Sequence, residues 1–180
     1  MKYLALLRGI NVGGKNLILK EELRQAFEEL GFKNVRTYIQ SGNVLFRTDK
    51  TSAQALTRII EKDLSARFSY GARAVVLSDV QYRSEVQSAH EGWGKNDAYK
   101  HNALFTLGDI TPMDVLVQLP TPKKHLEVIT PGASTLFWSV SKKQLAKSRF
   151  MKLPMAPVYQ EVTVRNHNTV FKLLELFEEL

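Results

Sequence analysis

Two strand-like segments flank a polar turn in residues 35–47, VRTYIQSGNVLFR. Apolar, aromatic and β-branched side chains are frequent in 35–40 and 44–47, and such side chains favour strands. The intervening Ser-Gly-Asn sequence at 41–43 is typical of a turn. The pattern predicts two consecutive strands that are joined by a hairpin or a bend.

The elements on either side of these strands keep a regular order. Between residues 19 and 30, apolar side chains recur at the spacing of one helical face, and Gly31 is a typical residue to end a helix. Ser78 can cap a further helix. The first half follows the order β-α-β-β-α-β-α: strand 3–7, helix 19–30, strands 35–40 and 44–47, helix 52–68, strand 72–77 and helix 79–90.

The same order returns after the short link 91–94, EGWG. Pro112 stands at the predicted start of a helix, where its missing N–H costs nothing, and Pro131 with Gly132 predicts a turn. The elements of the second half are strand 101–107, helix 112–119, strands 126–129 and 135–140, helix 142–150, strand 160–164 and helix 169–180.

We predict an α+β fold made of two ferredoxin-like βαββαβ halves, residues 1–91 and 95–180, packed into one compact protein. The prediction rests on the order of elements alone, because no residue-level identity between the halves supports it. One continuous mixed sheet with helices is the alternative architecture.

The composition excludes several classes of protein. A chain of 180 residues is long enough to be stabilised by a hydrophobic core, and the absence of cysteine excludes disulfides, thiolate zinc sites and cysteine nucleophiles. The apolar run 3–7 is shorter than that of a signal peptide, and no stretch has the roughly 20 apolar residues that span a bilayer. We therefore expect a cytoplasmic protein without membrane association.

The histidines show no pattern that indicates a metal site. They stand singly along the chain, without the i, i+4 pairing that helical metal sites use, at His90, His101, His125 and His167. No G-x-S-x-G sequence or other nucleophile context accompanies them. We therefore expect neither a metal nor a cofactor.

The net charge of +7 is concentrated in residues 121–172, which contain nine basic and two acidic residues. Such a localised positive field favours an acidic partner, namely a phosphate metabolite, nucleic acid or an acidic protein surface. A solvated basic face without a ligand is the alternative.

At the start of the predicted helix 142–150 the helix dipole disfavours cations, and a bound anion would relieve this conflict. The predicted nucleic-acid patch consists of Lys142, Lys143, Lys147, Arg149 and Lys152.

The loop after the first strand, GINVGGKN at 9–16, differs by one residue from the phosphate-binding pattern G-x-x-x-x-G-K-[ST]. Asn16 replaces the hydroxyl residue that holds magnesium, which disfavours a nucleotide triphosphatase. The paired glycines predict positive φ or a close backbone approach. The loop is either a structural turn or an anion-binding nest, and the candidate ligands are Arg8, Asn11, Gly13, Gly14, Lys15 and Asn16.

The turn between the second and third strands is a further candidate site. Ser41 and Asn43 could bind a ligand there, although turn formation alone explains both. A binding role would need a second polar loop beside this turn.

A third polar segment, RNHNT at 165–169, precedes the last predicted helix. Asn166 or Asn168 can cap that helix, which explains the asparagines without a ligand. The guanidinium of Arg165 is well placed for a carboxylate or phosphate, with a structural ion pair as the alternative. We expect this segment and the loop 8–16 to meet at one anion site.

Several motifs resemble those of the bacterial family of unknown function numbered 1697. They are LLRGINVGGKN at 6–16, TYIQSGNVLF at 37–46, LFWSVSKKQLAKSR at 136–149 and TVRNHNTVFKLLEL at 163–176. The resemblance implies a compact α+β fold from the bacterial cytoplasm and no established activity.

The preferred functional hypothesis is a non-catalytic protein that binds a phosphate-bearing partner, with nucleic acid as the favoured class. A small enzyme acting on a phosphorylated or carboxylate metabolite is the alternative, and a protein–protein adaptor is a third possibility. A binder predicts an open positive surface, whereas an enzyme predicts a pocket with convergent polar groups and perturbed titrating residues. In the enzyme the substrate would be held by Arg8, Asn11, Lys15, Arg165 and Asn166.

Overall fold

A computed structural model of the chain describes residues 1–11, 16–39, 42–120 and 126–180. The chain forms two compact units. The first comprises Met1–Arg83 with Leu173–Leu180, and the second comprises Ser84–Lys172. The predicted domain ranges, 1–91 and 95–180, stay a prediction.

The first unit contains a four-stranded sheet in which every neighbouring pair is antiparallel. Its strands stand in the order β2-β3-β1-β4, and its first two helices follow β1 and β3 along the chain. The elements are β1 (Lys2–Arg8), α1 (Lys20–Glu29), β2 (Lys33–Tyr38), β3 (Asn43–Arg47), α2 (Ala53–Phe68) and β4 (Arg73–Ser78). This strand order with this connectivity is the ferredoxin-like arrangement.

Alternation along the strands explains how this unit builds its core. In β1, Tyr3, Ala5 and Leu7 point to one face of the sheet, where they pack with the apolar faces of α1 and α2. Burying a side chain of the size of Leu7 contributes about 1.5–3 kcal/mol. The helix residues in the same core are Leu23, Ala26, Phe27, Leu56, Ile60 and Leu64.

The third helix, α3 (Asp79–Gln87), begins with the cap that the sequence predicts. The Gln81 backbone N–H donates to the Ser78 hydroxyl at 3.3 Å, and the Ser78 N–H donates to the Gln81 side-chain oxygen at 2.9 Å. Two free N–H groups at the helix start are thereby satisfied.

The second unit repeats the topology of the first. Its four strands stand in the order β6-β7-β5-β8, again with antiparallel neighbours. The elements are β5 (Tyr99–Thr106), α4 (Pro112–Val117), β6 (Glu127–Pro131), β7 (Thr135–Ser141) and β8 (Val162–Asn166). The last helix, α5 (His167–Glu179), begins in this unit, and its residues from Leu173 onward belong to the first. Two separate sheets of matching order confirm the prediction of duplicated ferredoxin-like halves, and the alternative of one continuous sheet is wrong.

The predicted α-helix at 142–150 is also wrong. The segment between β7 and β8 consists of three short 3-10 helices, Lys142–Lys147, Arg149–Met155 and Pro157–Glu161. Extended residues separate them, at Ser148 with ψ 154° and at Ala156 with ψ 138°. Ala156 precedes Pro157, whose ring disfavours helical backbone in the residue before it.

No α-helix dipole acts on the lysines at the start of this segment, so the conflict between dipole and cations does not arise. The first 3-10 helix has six residues and is interrupted at Gln144, where φ is −125°. The side chains of Leu153 and Val158 nevertheless anchor the segment, because both are buried in the core of the second unit with Leu136, Trp138 and Val140.

None of the helices in the described ranges is both long and apolar enough to cross a membrane.

Candidate functional site

The loop after β1 is closed by its own asparagines. The Asn11 amide donates to the Ile18 carbonyl at 3.0 Å and accepts from the Ile18 N–H at 2.8 Å. The Asn16 amide donates to the Gly9 carbonyl at 2.8 Å. Both asparagines have positive φ, 52° and 48°, which asparagine tolerates better than most residues. The amides of these two predicted ligands thus stabilise the loop.

Arg8 lies at the end of β1, directly opposite Arg73 of β4. The other predicted members of the nest, Gly13, Gly14 and Lys15, lie outside the described residues, and so does the prediction about the backbone of the two glycines.

The turn between β2 and β3 lies at the same sheet edge as this loop. The Leu7 N–H donates to the Gly42 carbonyl at 2.7 Å, so the turn contacts the end of β1. Asn43 is fully buried and donates to the Tyr38 carbonyl at 3.0 Å. Ser41 lies outside the described residues. The structure therefore brings together two of the three polar segments that the sequence singled out.

The third polar segment lies in the second unit. Arg165 of β8 is buried, and its guanidinium donates to the Thr163 hydroxyl at 2.8 Å and to the Val164 carbonyl at 2.9 Å. The Thr169 N–H donates to the Asn166 side-chain oxygen at 2.9 Å, so Asn166 caps α5 as the structural interpretation predicted. Asn168 is exposed. Arg8 and Arg165 belong to different units, and their convergence stays a prediction.

The predicted nucleic-acid patch divides into two kinds of residue. Its four lysines are exposed, at Lys142, Lys143, Lys147 and Lys152. Arg149 is instead bound by Glu127 of β6 at 2.9 Å, and these two side chains are only 10% and 1% exposed. Its guanidinium also donates to the Pro120 carbonyl at 3.2 Å and lies over the Trp138 ring. The charge of Arg149 is thus paired with Glu127 inside the unit, and a role of this residue in nucleic-acid binding stays a prediction.

A cluster that the sequence analysis missed lies across β5 and β7. The register of these strands places His101 directly opposite Ser139. The Ser139 Oγ lies 2.7 Å from Nδ1 of His101 and 2.8 Å from Nε2 of His90. The remaining ring nitrogens are also bound, Nε2 of His101 by the Asn96 carbonyl at 3.0 Å and Nδ1 of His90 by the Thr130 hydroxyl at 3.1 Å.

These partners determine where the protons lie when both rings are neutral. A carbonyl can only accept, so Nε2 of His101 carries the proton and its Nδ1 has the lone pair. The Ser139 hydroxyl must then donate to His101, and its oxygen accepts from Nε2–H of His90. The Thr130 hydroxyl completes the chain by donating to Nδ1 of His90. Each group thus donates to the next, from the Thr130 hydroxyl through His90, Ser139 and His101 to the Asn96 carbonyl.

The surroundings of the two rings favour their neutral forms. Burial lowers the pKa of His90 below its usual value, and the neighbouring His101 lowers it further. Burial is also the main cause that lowers the pKa of His101; the positive charges of His167 and Lys142 act in the same direction. The Asn96 carbonyl and the Asp97 carboxylate oppose this shift. At neutral pH the cluster is therefore an uncharged hydrogen-bonded chain.

Aromatic side chains support this cluster from one side. The Trp93 ring meets His101, Phe137, His167 and Phe171 edge to face, with centroid distances of 5.0–6.4 Å. Such contacts restrict the orientation of the rings. The cluster also borders a cleft of about 170 Å³, which is lined by His90, Glu91, Gly92, Asn96, Tyr99, His101, Val128 and Ser139.

A second feature that the sequence analysis missed is a basic groove in the first unit. It has a volume of about 540 Å³ and lies between the end of α1 and the segment after β3. Its exposed cationic side chains are Lys33, Arg47 and Lys50.

Within the described ranges, neither unit contains three His, Cys, Asp or Glu side chains placed to hold a metal ion.

Residues 1–137 match the model of a family described as protein of unknown function, DUF1697. The chain belongs to the DUF1697 family. This DUF1697 protein is also similar to a solved structure described as a conserved bacterial protein from Streptococcus pneumoniae. The two are 29% identical with a TM-score of 0.85, and the similarity covers 97% of each chain. No curated protein matches the chain.

The family match covers part of the cluster. His90 and His101 lie within residues 1–137, whereas Ser139 follows two residues after the match ends. The motifs at 136–149 and 163–176 lie almost wholly beyond the matched range. The structural similarity extends over nearly the whole chain and so includes both units.

Proposed function

We propose that this DUF1697 protein binds a phosphate-bearing partner, with nucleic acid as the favoured class, and that it does so in the cytoplasm. The proposed contact surface is the lysine face, which we define as Lys142, Lys143, Lys147 and Lys152 of the 3-10 segment. Exposed ammonium groups bind phosphate as point charges and carry no information about base sequence. We therefore expect binding that depends on charge more than on sequence.

The observation that carries the proposal is the distribution of charge around this segment. All four lysines are exposed, whereas the carboxylate of Glu127 is buried and paired with Arg149. Because that acid is neutralised within the unit, it does not reduce the positive potential outside the lysines.

We expect the affinity for a fluorescently labelled 20-base-pair duplex to fall steeply as potassium chloride increases. Each phosphate contact contributes a slope of about −0.9 in log affinity against log salt, so four contacts predict a slope of about −3.6. Replacing all four lysines with alanine should make the duplex bind more weakly and bring the slope near zero. Fluorescence anisotropy at several salt concentrations measures both quantities.

The matched control removes the same charge from outside the lysine face and the basic groove, by replacing Lys20, Arg58, Lys62 and Lys95 with alanine. We expect this variant to keep at least half of the wild-type slope. If both variants lose affinity equally, the effect is one of net charge and the lysine face is rejected. Wild-type affinity in the lysine-face variant would reject it as well.

A further inference from the structure

We propose that the cleft beside β5 and β7 is a hydrolytic site for small carboxylic esters, with Ser139 as the nucleophile and His101 as the general base. This activity goes beyond the proposed binding function and does not depend on it. It is carried by the direction of the hydrogen bonds at Ser139, by the fixed orientation of both histidines and by the size of the cleft.

The hydroxyl of Ser139 is aimed at a base. Its proton points to Nδ1 of His101 over 2.7 Å, a distance at which a general base can remove it. The Asn96 carbonyl holds the opposite nitrogen of the ring at 3.0 Å, which fixes the tautomer that leaves Nδ1 free to accept. A nucleophile, a base and a third group that orients the base are the parts that an activated serine requires.

His90 provides a second constraint on the same oxygen. Its Nε2–H donates to Oγ at 2.8 Å, and the Thr130 hydroxyl fixes the other side of the ring. Two histidines thus hold the hydroxyl in one rotamer, with its proton directed away from His90.

The cleft admits a small substrate. Its volume of about 170 Å³ is below the roughly 300 Å³ of ordinary ligand pockets and corresponds to a few water molecules of about 30 Å³ each. Val128 provides an apolar wall and the half-buried Tyr99 a second one. The space therefore fits a short acyl group such as acetyl, with the alcohol part of the ester directed to solvent.

The reaction follows from this arrangement. Ser139 Oγ forms a bond to the acyl carbon, the carbonyl oxygen takes the electron pair of the C=O π bond, and the Ser139 proton moves to Nδ1 of His101. The C–O bond to the alcohol then breaks, and the alcohol leaves with the proton from His101. Water attacks the acyl-serine with His101 again as base, which releases the carboxylic acid and restores the hydroxyl of Ser139.

The test uses the full chain with 4-nitrophenyl acetate as substrate and methanesulfonyl fluoride as a small serine-directed probe. We expect nitrophenol release above the buffer rate and a sulfonyl adduct on the peptide that contains Ser139, identified by mass spectrometry. Ser139→Ala should remove the adduct and lower the rate at least about 100-fold, and His101→Gln should lower the rate by a similar factor. Wild-type protein that shows neither turnover nor an adduct would overturn the proposal.

Ser148→Ala is the matched control, because Ser148 is another buried serine of the second unit whose hydroxyl donates to a backbone carbonyl, that of Leu145, at 2.6 Å. We expect this variant to keep the wild-type rate and the adduct on Ser139. An adduct on any other serine, with Ser139 unmodified, would also overturn the proposal. The labelling of wild-type protein decides the question even if Ser139→Ala does not fold.

Discussion

Gly42 shows how a single residue can join two polar segments. Its φ is 75°, in the left-handed region that favours glycine, and its carbonyl accepts from the Leu7 N–H at 2.7 Å. A Cβ atom at this position would lie 2.8 Å from Leu7 Cβ and 2.9 Å from Ile10 Cδ1. The turn can therefore approach the end of β1 only because residue 42 has no side chain.

We expect Gly42→Ala to destabilise the protein by about 2–4 kcal/mol, from the combined costs of left-handed backbone and overpacking. Gly71→Ala is the matched control, because its added Cβ would have no atom within 4 Å and its φ is not in the left-handed region. We expect that variant to be within about 0.5 kcal/mol of wild type or slightly more stable. Urea unfolding measures both, and equal stability of the two variants would contradict the argument.

The position of Arg165 also depends on details at the scale of one residue. A guanidinium just before a helix can bind an anion when its side chain points to solvent. The same guanidinium has a structural role when its side chain turns into the protein. Its hydrogen bonds to Thr163 and Val164 and its burial favour the structural role, while its proposed ligand role stays a prediction.

At the scale of elements, the second unit departs from the first in the segment between β7 and β8. The first unit has the 16-residue helix α2 at the corresponding place, whereas the second has three 3-10 helices. The buried pair of Glu127 and Arg149 ties β6 to this segment, since the backbone N–H of Arg149 also donates to Glu127. The carboxylate of Glu127 thereby satisfies both a backbone N–H and a side-chain charge of the 3-10 segment.

We expect Glu127→Ala to cost about 3–5 kcal/mol in the free energy of unfolding, because it leaves the Arg149 guanidinium buried without its partner. The double variant Glu127→Leu with Arg149→Met should be clearly more stable than Glu127→Ala, since neither charge then remains buried. Denaturant unfolding of the three proteins measures this difference.

The control for this experiment is the pair of Arg36 and Glu179 in the first unit, whose side chains are 46% and 53% exposed. Because solvent screens such a pair, Glu179→Ala should cost no more than about 1 kcal/mol. A loss of that small size for Glu127→Ala would show that the buried pair does not anchor the 3-10 segment.

At the scale of the whole molecule, stability should depend on the protonation of His90 and His101. The pKa of each ring is lowered in the folded protein, mainly by burial, whereas the unfolded chain takes up protons near the ordinary value of 6.5. The unfolded state then binds more protons than the folded state as pH falls below that value. The stabilisation is fully present above pH 6.5 and is lost as pH falls through the folded-state pKa values.

We therefore expect the free energy of unfolding to decrease between pH 7.5 and pH 5.5, by at most about 1.4 kcal/mol per pH unit for each proton taken up. Urea unfolding at intervals across this range measures the slope. His101→Asn removes one of the two titrating rings and should reduce the slope below that of wild type. A free energy that does not change over this range would show that the rings are not held neutral in the folded protein.

The order of elements and the two ferredoxin-like units followed from the sequence, because the apolar period of each segment is a local property of neighbouring residues. The cap of α3 and the cap of α5 followed for the same reason, since Ser78 and Asn166 act on backbone groups within three residues. The 3-10 segment did not follow, because the lysines and apolar residues at 142–150 allow a helix, whereas Leu153 and Val158, which anchor the segment in the core, lie further along the chain.

The cluster at Ser139 was decided by tertiary structure alone. His90, His101 and Ser139 come from separate segments, and no metal or nucleophile spacing links them in the sequence. They meet because β5 and β7 pair in a register that places His101 opposite Ser139, and because the chain after α3 brings His90 to the same hydroxyl. Strand register depends on packing across the whole sheet, so residues far apart along the chain can form one site without any local signal in the sequence.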